Sequence, residues 1–157
     1  MKTFSSVLTL VLSLTISCSS KVKVGDYAHG GIVAWIDWKG EHGIVHATND
    51  LDKEYNWDGA KRKCSELIIK GKDDWYLPSK SELYKLYLKL HKKGLGNFNT
   101  DCNYWSSTEN TTSWRINPNS GRRIISSPYY FSFNYDCSYF YQKSMNDIYL
   151  VRAVRAF

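Results

Sequence analysis

The alternation of apolar and polar positions predicts a β-hairpin early in the chain. Apolar runs at residues 32–36 and 43–47 lie on either side of Lys39-Gly40. Short β-branched runs that flank a glycine-containing turn are typical of paired antiparallel strands. A polar loop at 49–55 then separates this hairpin from segments with helical spacing.

A first helix is predicted from apolar residues that recur three or four positions apart. These residues are Trp57, Ala60, Cys64, Leu67 and Ile68. Asn56 is a suitable N-cap, because its side chain can accept a hydrogen bond from a free backbone N–H of the first turn. Gly71 stands where a C-cap is expected, so the helix is predicted to continue almost to that residue.

A second helix has a sharper signal at its start. Ser79 and Glu82 form a capping-box pattern directly after Pro78. The apolar stripe of this helix is Leu83, Leu86, Tyr87 and Leu90. Lys92 and Lys93 follow it, before Gly94, where positive charge complements the helix dipole.

The remaining chain has the pattern of short strands. Residues 104–108 form one strand, residues 113–116 and 122–125 flank a turn at 117–121, and aromatic residues alternate with small ones at 129–135 and 138–141. Residues 149–157 are expected to close the chain as a strand. The predicted fold class is therefore α+β, with two helices and a mostly antiparallel sheet.

Composition and charge indicate an exported binding domain more than a cytosolic enzyme. The chain of 157 residues carries 21 Lys+Arg against 15 Asp+Glu, a net charge of +6, and 15% of its residues are aromatic. A modest positive field favours anionic partners such as acidic polysaccharide. Aromatic rings offer flat apolar area with a polar tip, which suits sugar faces as well as a core. Export would exclude nucleic acid as a partner.

The N-terminus is typical of a bacterial lipoprotein. Lys2 precedes an apolar stretch too short to span a bilayer comfortably, and small residues precede Cys18. Residues 1–17 are predicted to be a signal peptide, Cys18 the lipid attachment site and residues 18–24 a tether, with the folded domain at 25–157. Thr15 replaces the usual leucine, so an ordinary secretory signal cut near Ser17 is the alternative. The predicted location is the cell envelope, in the outer membrane if the organism is Gram-negative.

The other cysteines are candidates for one disulfide, because the envelope is oxidising. Cys102 and Cys137 lie in polar, loop-like contexts and are predicted to pair, whereas Cys64 lies on the apolar face of the first helix. No metal site is predicted: His42 and His46 have no third ligand nearby in sequence. No cofactor motif or catalytic constellation is recognised.

Basic and aromatic residues are the candidate ligand-binding groups, since Arg and Lys suit sulfate or carboxylate groups and exposed Tyr rings suit sugar faces. The candidates are Arg122, Arg123, Tyr129, Tyr130, Tyr135, Lys92 and Lys93. The alternative is that the Tyr rings fill the inner face of the sheet while the Arg side chains lie in water. A separate ion pair is expected between Asp74 and either Arg152 or Arg155.

Six phrases occur in an order that resembles the C-terminal domain family of the Legionella collagen-like protein. They are GGIVAWID, HGIVHA, WDGAKRKC, DWYLPSKSEL, NYWSSTE and LVRAVRAF. The resemblance covers residues 25–157 and implies a fold like those of C-type lectins and the formylglycine-generating enzyme. It also implies a role like that of the founding adhesin, whose domain binds sulfated glycans.

Three departures from that family stand out. The chain has no Gly-X-Y stalk, so trimerisation through a collagen helix is not implied. Ala153 stands where many relatives carry a cysteine that could pair with the helix cysteine, which leaves Cys64 unpaired. Residues 122–147 are richer in Tyr and Phe than expected and resemble an insertion.

The expected function is a non-catalytic, lipid-anchored envelope protein that binds anionic glycan or mediates adhesion. A structural or protein-interaction module is the alternative, and an enzyme related to the formylglycine-generating group is a third possibility. The sequence specifies neither the ligand nor the oligomeric state.

Overall fold

The N-terminal hairpin forms the centre of one antiparallel sheet. The computed structural model describes residues 21–117, 121–134 and 139–157, and at 111–117 and 121–126 it describes the backbone alone. Its first sheet has the order β1-β2-β3-β7. The strands are β1 (Tyr27–Ala28), β2 (Gly31–Ile36), β3 (Gly43–His46) and β7 (Val154–Ala156). The predicted hairpin is confirmed, and the last strand of the chain pairs with β3.

A second antiparallel sheet contains the aromatic half of the chain. Its order is β4-β5-β6, with β4 at Asn103–Asn117, β5 at Gly121–Ser132 and β6 at Phe140–Gln142. The two short strands expected at 104–108 and 113–116 are one long strand. Its pairing with β5 shifts register twice between Trp105 and Ser113, so the strand continues through residues 109–112, which separate the two predicted strands. The α+β class is confirmed, with two sheets instead of one.

The first helix is shorter than predicted. Helix α1 spans Trp57–Ser65, and the Asn56 side chain accepts a hydrogen bond from the Gly59 N–H, which confirms the N-cap. Gly71 does not cap this helix. Ile69 and Lys72 exchange both backbone hydrogen bonds in a tight turn, and Gly71 supplies its positive φ of 73°. The chain therefore leaves the helix before Ile68, which is 70% exposed.

The second helix, α2, begins as predicted. It spans Lys80–Lys89, and Ser79 and Glu82 form both hydrogen bonds of the capping box. Lys92 and Lys93 lie beyond the helix in a 3-10 turn at His91–Lys93, which Gly94 ends with a φ of 69°. The four residues of the predicted apolar stripe are all buried.

We expect Ser79→Ala to destabilise the domain by about 1 kcal/mol, because it removes the N-cap hydrogen bond to the Glu82 N–H. Urea unfolding measures the loss. Ser65→Ala is the matched control: it removes an exposed hydroxyl that bonds only the Arg62 carbonyl. Equal stability of the two variants would mean that the capping box contributes nothing.

Residues 149–157 join the two sheets. Leu150 forms a backbone bridge with Tyr104 of β4, and Tyr149 forms one with Tyr55. Val154 of β7 pairs with His46 of β3 and also bridges to Tyr76. The core lies on both sides of this segment. One part contains the indole rings of Trp57, Trp75 and Trp105. The other contains the apolar face of α2 and the rings of Tyr104, Phe131 and Phe133.

No helix within the described ranges is both long and apolar enough to cross a bilayer.

Candidate binding groove

The predicted ligand-binding residues whose side chains the structure describes are not gathered at one place. Tyr130 is 9% exposed and packs edge-to-face against Trp105, so its ring belongs to the core. Tyr129, its neighbour in β5, is half-buried. Tyr135 lies outside the described residues. Arg122 and Arg123 lie in β5 opposite Ile116 and Arg115 of β4, in the part described by its backbone alone.

An open groove of about 420 Å³ lies between the start of α2 and the second sheet. Its lining residues are Lys80, Ser81, Tyr84, Thr108 and Phe140. Tyr84 is 45% exposed, and its ring meets the Phe140 ring at a centroid distance of 6.4 Å. The lining therefore combines two aromatic rings with the hydroxyl groups of Ser81 and Thr108.

The Lys80 ammonium is the one charged group in the groove lining. Its Nζ lies 4.4 Å from the Tyr129 ring centroid and 4.7 Å from the Phe140 ring centroid. Both distances lie within the range of cation–π attraction. In the described parts of the chain, Lys80 has no carboxylate partner within 4.0 Å. Its positive charge is therefore available to an anionic group that enters the groove.

Several backbone contacts hold Lys80 and these rings in place. The Lys80 N–H donates to the Thr108 hydroxyl at 2.9 Å, and the Ser107 N–H donates to the Pro78 carbonyl at 2.8 Å. These bonds join β4 to the start of α2. Phe140 pairs with Phe131 across β5 and β6, where their ring centroids are 4.4 Å apart. The groove is therefore built from fixed elements and is preformed.

The other basic candidates lie far from this groove. Lys92 is twelve positions beyond Lys80, about 18 Å along a helical path, and its ammonium lies over the Tyr87 ring. Arg123 is six positions from Tyr129 in β5, roughly 20 Å along the strand. Among the predicted ligand-binding residues whose side chains are described, Tyr129 alone lies beside the groove.

The sequence reasoning missed Lys80, Tyr84 and Phe140. Lys80 is the first residue of a helix whose capping box was recognised, so its position at a helix start was available as a signal. The position of Phe140 depends on which residue of β5 it pairs with, and the local sequence does not predict that register.

A polar cluster around the Arg152–Asp50 ion pair is buried and stabilises the fold. The Arg152 Nε donates to an Asp50 oxygen at 2.7 Å, and the guanidinium also donates to the Gly96 and Asn97 carbonyls at 2.6 and 2.7 Å. The Tyr104 hydroxyl donates to the other Asp50 oxygen at 2.9 Å. The cluster ties the 94–99 loop to the closing segment of the chain.

The ion pair predicted for Asp74 forms with Arg155. Two hydrogen bonds of 2.6 and 2.9 Å connect the guanidinium to the carboxylate, and a third reaches the His29 carbonyl. The hydrogen bonds from the Arg155 guanidinium lower the pKa of the Asp74 carboxyl. Arg152, the other candidate partner, pairs with Asp50 instead.

The histidines considered as metal ligands are in different environments. His42 is exposed at the turn, whereas His46 is fully buried. Among the residues that the structure describes, no three His, Cys, Asp or Glu side chains form a group that could hold a metal ion.

Cys64 is fully buried, and burial raises the pKa of its thiol to about 12. A thiol with so high a pKa is protonated at neutral pH and is a poor nucleophile. Cys102 is half-buried and forms no disulfide with another described residue. Its predicted partner Cys137, like Cys18, lies outside the described residues, so the Cys102–Cys137 disulfide remains a prediction.

Comparison with known families identifies this chain at the level of its domain. The family described as the Lcl C-terminal domain matches residues 33–155, which is most of the chain. The protein therefore belongs to the Lcl C-terminal domain family, as the order of its sequence phrases predicts. The comparison with curated proteins finds no match.

Proposed function

We propose that this protein is a lipid-anchored envelope protein whose Lcl C-terminal domain binds an anionic glycan in the aromatic groove beside Lys80. The domain acts as a receptor surface and catalyses no reaction. The proposal includes a C-type-lectin-like fold, which the family resemblance implies. Cell-surface adhesion is the expected biological use of such binding.

One observation carries the proposal: the Lys80 ammonium lies over the Tyr129 and Phe140 rings on the wall of an open groove. Sugar rings present C–H faces that pack against aromatic side chains, and sulfate or carboxylate substituents attract a cation. The groove offers both interactions within one sugar unit. Binding would require little rearrangement, because the helix cap and the strand pairing already fix the walls.

The predicted anchor supports the envelope location. Residues 1–18 have the charge, apolar length and cysteine of a lipoprotein signal. Two or more acyl chains on Cys18 would hold the protein stably at a membrane.

The buried chemistry supports a binding domain over an enzyme. Cys64 is protonated and inaccessible, and the Arg152–Asp50 cluster uses its polar groups to satisfy neighbouring backbone carbonyls. The rings and the ammonium in the groove suit recognition of a ligand through packing and charge.

We expect Lys80→Met to weaken binding of a sulfated polysaccharide such as heparin about tenfold to a hundredfold, because a charge-assisted hydrogen bond contributes about 1.5–3 kcal/mol. Methionine keeps the apolar stem over the rings and removes only the charge. Lys92→Met is the matched control, because it changes the net charge equally but lies beyond the C-terminal end of α2. Its affinity is expected to stay close to that of the wild type.

Titration by calorimetry at low and high salt measures this difference, since salt screens the ammonium–sulfate attraction. A desulfated form of the same polysaccharide should bind far more weakly. Equal losses in Lys80→Met and Lys92→Met would contradict the assignment of the groove. No binding at low salt, with envelope proteins co-purifying instead, would favour the protein-interaction alternative.

A further inference from the structure

Among the described residues, the most exposed large apolar side chain lies in the turn between β2 and β3. Trp38 is 84% exposed, and the Lys39 ammonium lies 5.3 Å from its ring centroid. The turn itself is held firmly. One Asp37 oxygen accepts hydrogen bonds from the N–H groups of Gly40 and Glu41 at 2.6 and 2.9 Å. An indole is thus displayed on a rigid support, where no core contact explains it.

The chain toward the predicted lipid attachment site starts beside this turn. The Lys21 side chain lies against Gly40, since a Cβ built on that glycine would be 3.7 Å from the Lys21 Cε. Val22 packs on the core immediately afterwards. Cys18 precedes Lys21 by three residues, which span at most about 11 Å when fully extended. A lipid on Cys18 therefore keeps the turn within a short distance of the bilayer.

We propose that the Trp38–Lys39 turn is a second membrane contact, which inserts the indole into the headgroup layer beside the lipid anchor. Tryptophan is enriched at this depth, because its ring is apolar and its N–H can remain hydrogen-bonded. Lys39 and Lys21 face anionic headgroups there. Asp37 and Glu41 are the opposing charges of the turn, and the Asp37 carboxylate is already engaged by backbone N–H groups.

Such a contact would fix how the domain stands on the membrane. A lipid on Cys18, three residues before Lys21, would by itself allow the domain to rotate about its attachment. A second contact at the β2–β3 turn restricts that rotation and places the turn at the bilayer. The inference rests on the lipid anchor of the proposed function and is independent of which glycan the groove binds.

The test uses the lipidated full-length protein in vesicles of phosphatidylethanolamine and phosphatidylglycerol that carry a nitroxide quencher at headgroup depth. We expect the quencher to reduce tryptophan emission in the wild type. Trp38→Ala should lose most of that quenching. Trp35→Ala is the matched control, because Trp35 is also exposed, at 37%, but lies in β2 with Lys85 over its ring. Its quenching should match that of the wild type.

The outcomes separate this inference from the proposed function. Undiminished quenching in Trp38→Ala, or no quenching of a wild type whose mass confirms the lipid, would overturn the second contact and leave the anchor intact. A mature protein without lipid would overturn both. A loss of glycan affinity in Trp38→Ala, with no change in quenching, would assign Trp38 to a glycan surface and reject the membrane role.

Discussion

Arg152→Ala is expected to lower the free energy of unfolding by about 3–5 kcal/mol, the range observed when one partner of a buried ion pair is removed. Arg152 is 1% exposed, and its guanidinium lies 4.3 Å from the Phe98 ring centroid. The substitution leaves the Asp50 carboxylate without its cation. It also leaves the Gly96 and Asn97 carbonyls without a donor.

Two other arginines give a graded control. Arg62 pairs with Glu66 at 3.8 Å on the surface, with the two side chains 70% and 50% exposed, so Arg62→Ala is expected to cost less than about 1 kcal/mol. Arg155 is intermediate, because its partner Asp74 is 54% exposed. Urea unfolding of the three variants should give the order Arg152, Arg155, Arg62. A small effect at Arg152 would contradict the assignment of this cluster as a structural centre.

Acid is expected to destabilise the domain through His46. The pKa of this histidine falls from 6.5 to about 3, because burial disfavours the cation and the positive charge of Arg152 repels it. The Nδ1–H donates to the Ala47 carbonyl at 2.7 Å. The Nε2 has no hydrogen-bond partner among the described residues, so a proton added there would find no acceptor.

The sign follows from proton linkage. The unfolded state binds a proton near pH 6.5, whereas the folded state resists it down to about pH 3. The contribution of neutral His46 to the free energy of unfolding is therefore fully present above pH 6.5 and is lost as the pH falls toward 3. At pH 5 the loss from this residue alone is about 2 kcal/mol.

His46→Gln removes the titrating group and keeps a polar side chain of similar length. The free energy of unfolding of each protein at pH 7 serves as its own reference, since only the change with pH is compared. We expect the wild type to lose about 2 kcal/mol more than the variant between pH 7 and pH 5. Parallel stability curves over that interval would show that His46 accepts its proton in the folded state.

Local signals in the sequence account for much of the fold. The capping box at Ser79, the N-cap at Asn56 and the hairpin with its turn at Lys39-Gly40 depend on neighbouring residues, and the structure confirms all three. The end of α1 was wrong, because the turn at 69–72 depends on backbone bonds that compete with the helix. The local turn between Ile69 and Lys72 sets the position of Gly71, and helical spacing alone does not reveal that turn.

The candidate site could not be predicted from the sequence, because tertiary contacts bring its residues together. Lys80 and Phe140 are sixty positions apart and meet only because β6 pairs with β5 and β4 bonds to the start of α2. The sequence grouped residues that were close along the chain, such as Tyr129 and Tyr130. Alternation in a strand places such neighbours on opposite faces, so Tyr130 entered the core while Tyr129 stayed beside Lys80.

The most direct test of the central claim is an NMR titration of the ¹⁵N-labelled protein with a short sulfated oligosaccharide. The groove predicts amide shift changes that concentrate at Lys80, Ser81, Thr108 and Phe140, with little change at Lys92 and Lys93. Saturation of those shifts should give the same affinity as calorimetry, and Lys80→Met should weaken it. Shift changes centred on Lys92 or on Arg122 and Arg123, with the groove unaffected, would contradict the account.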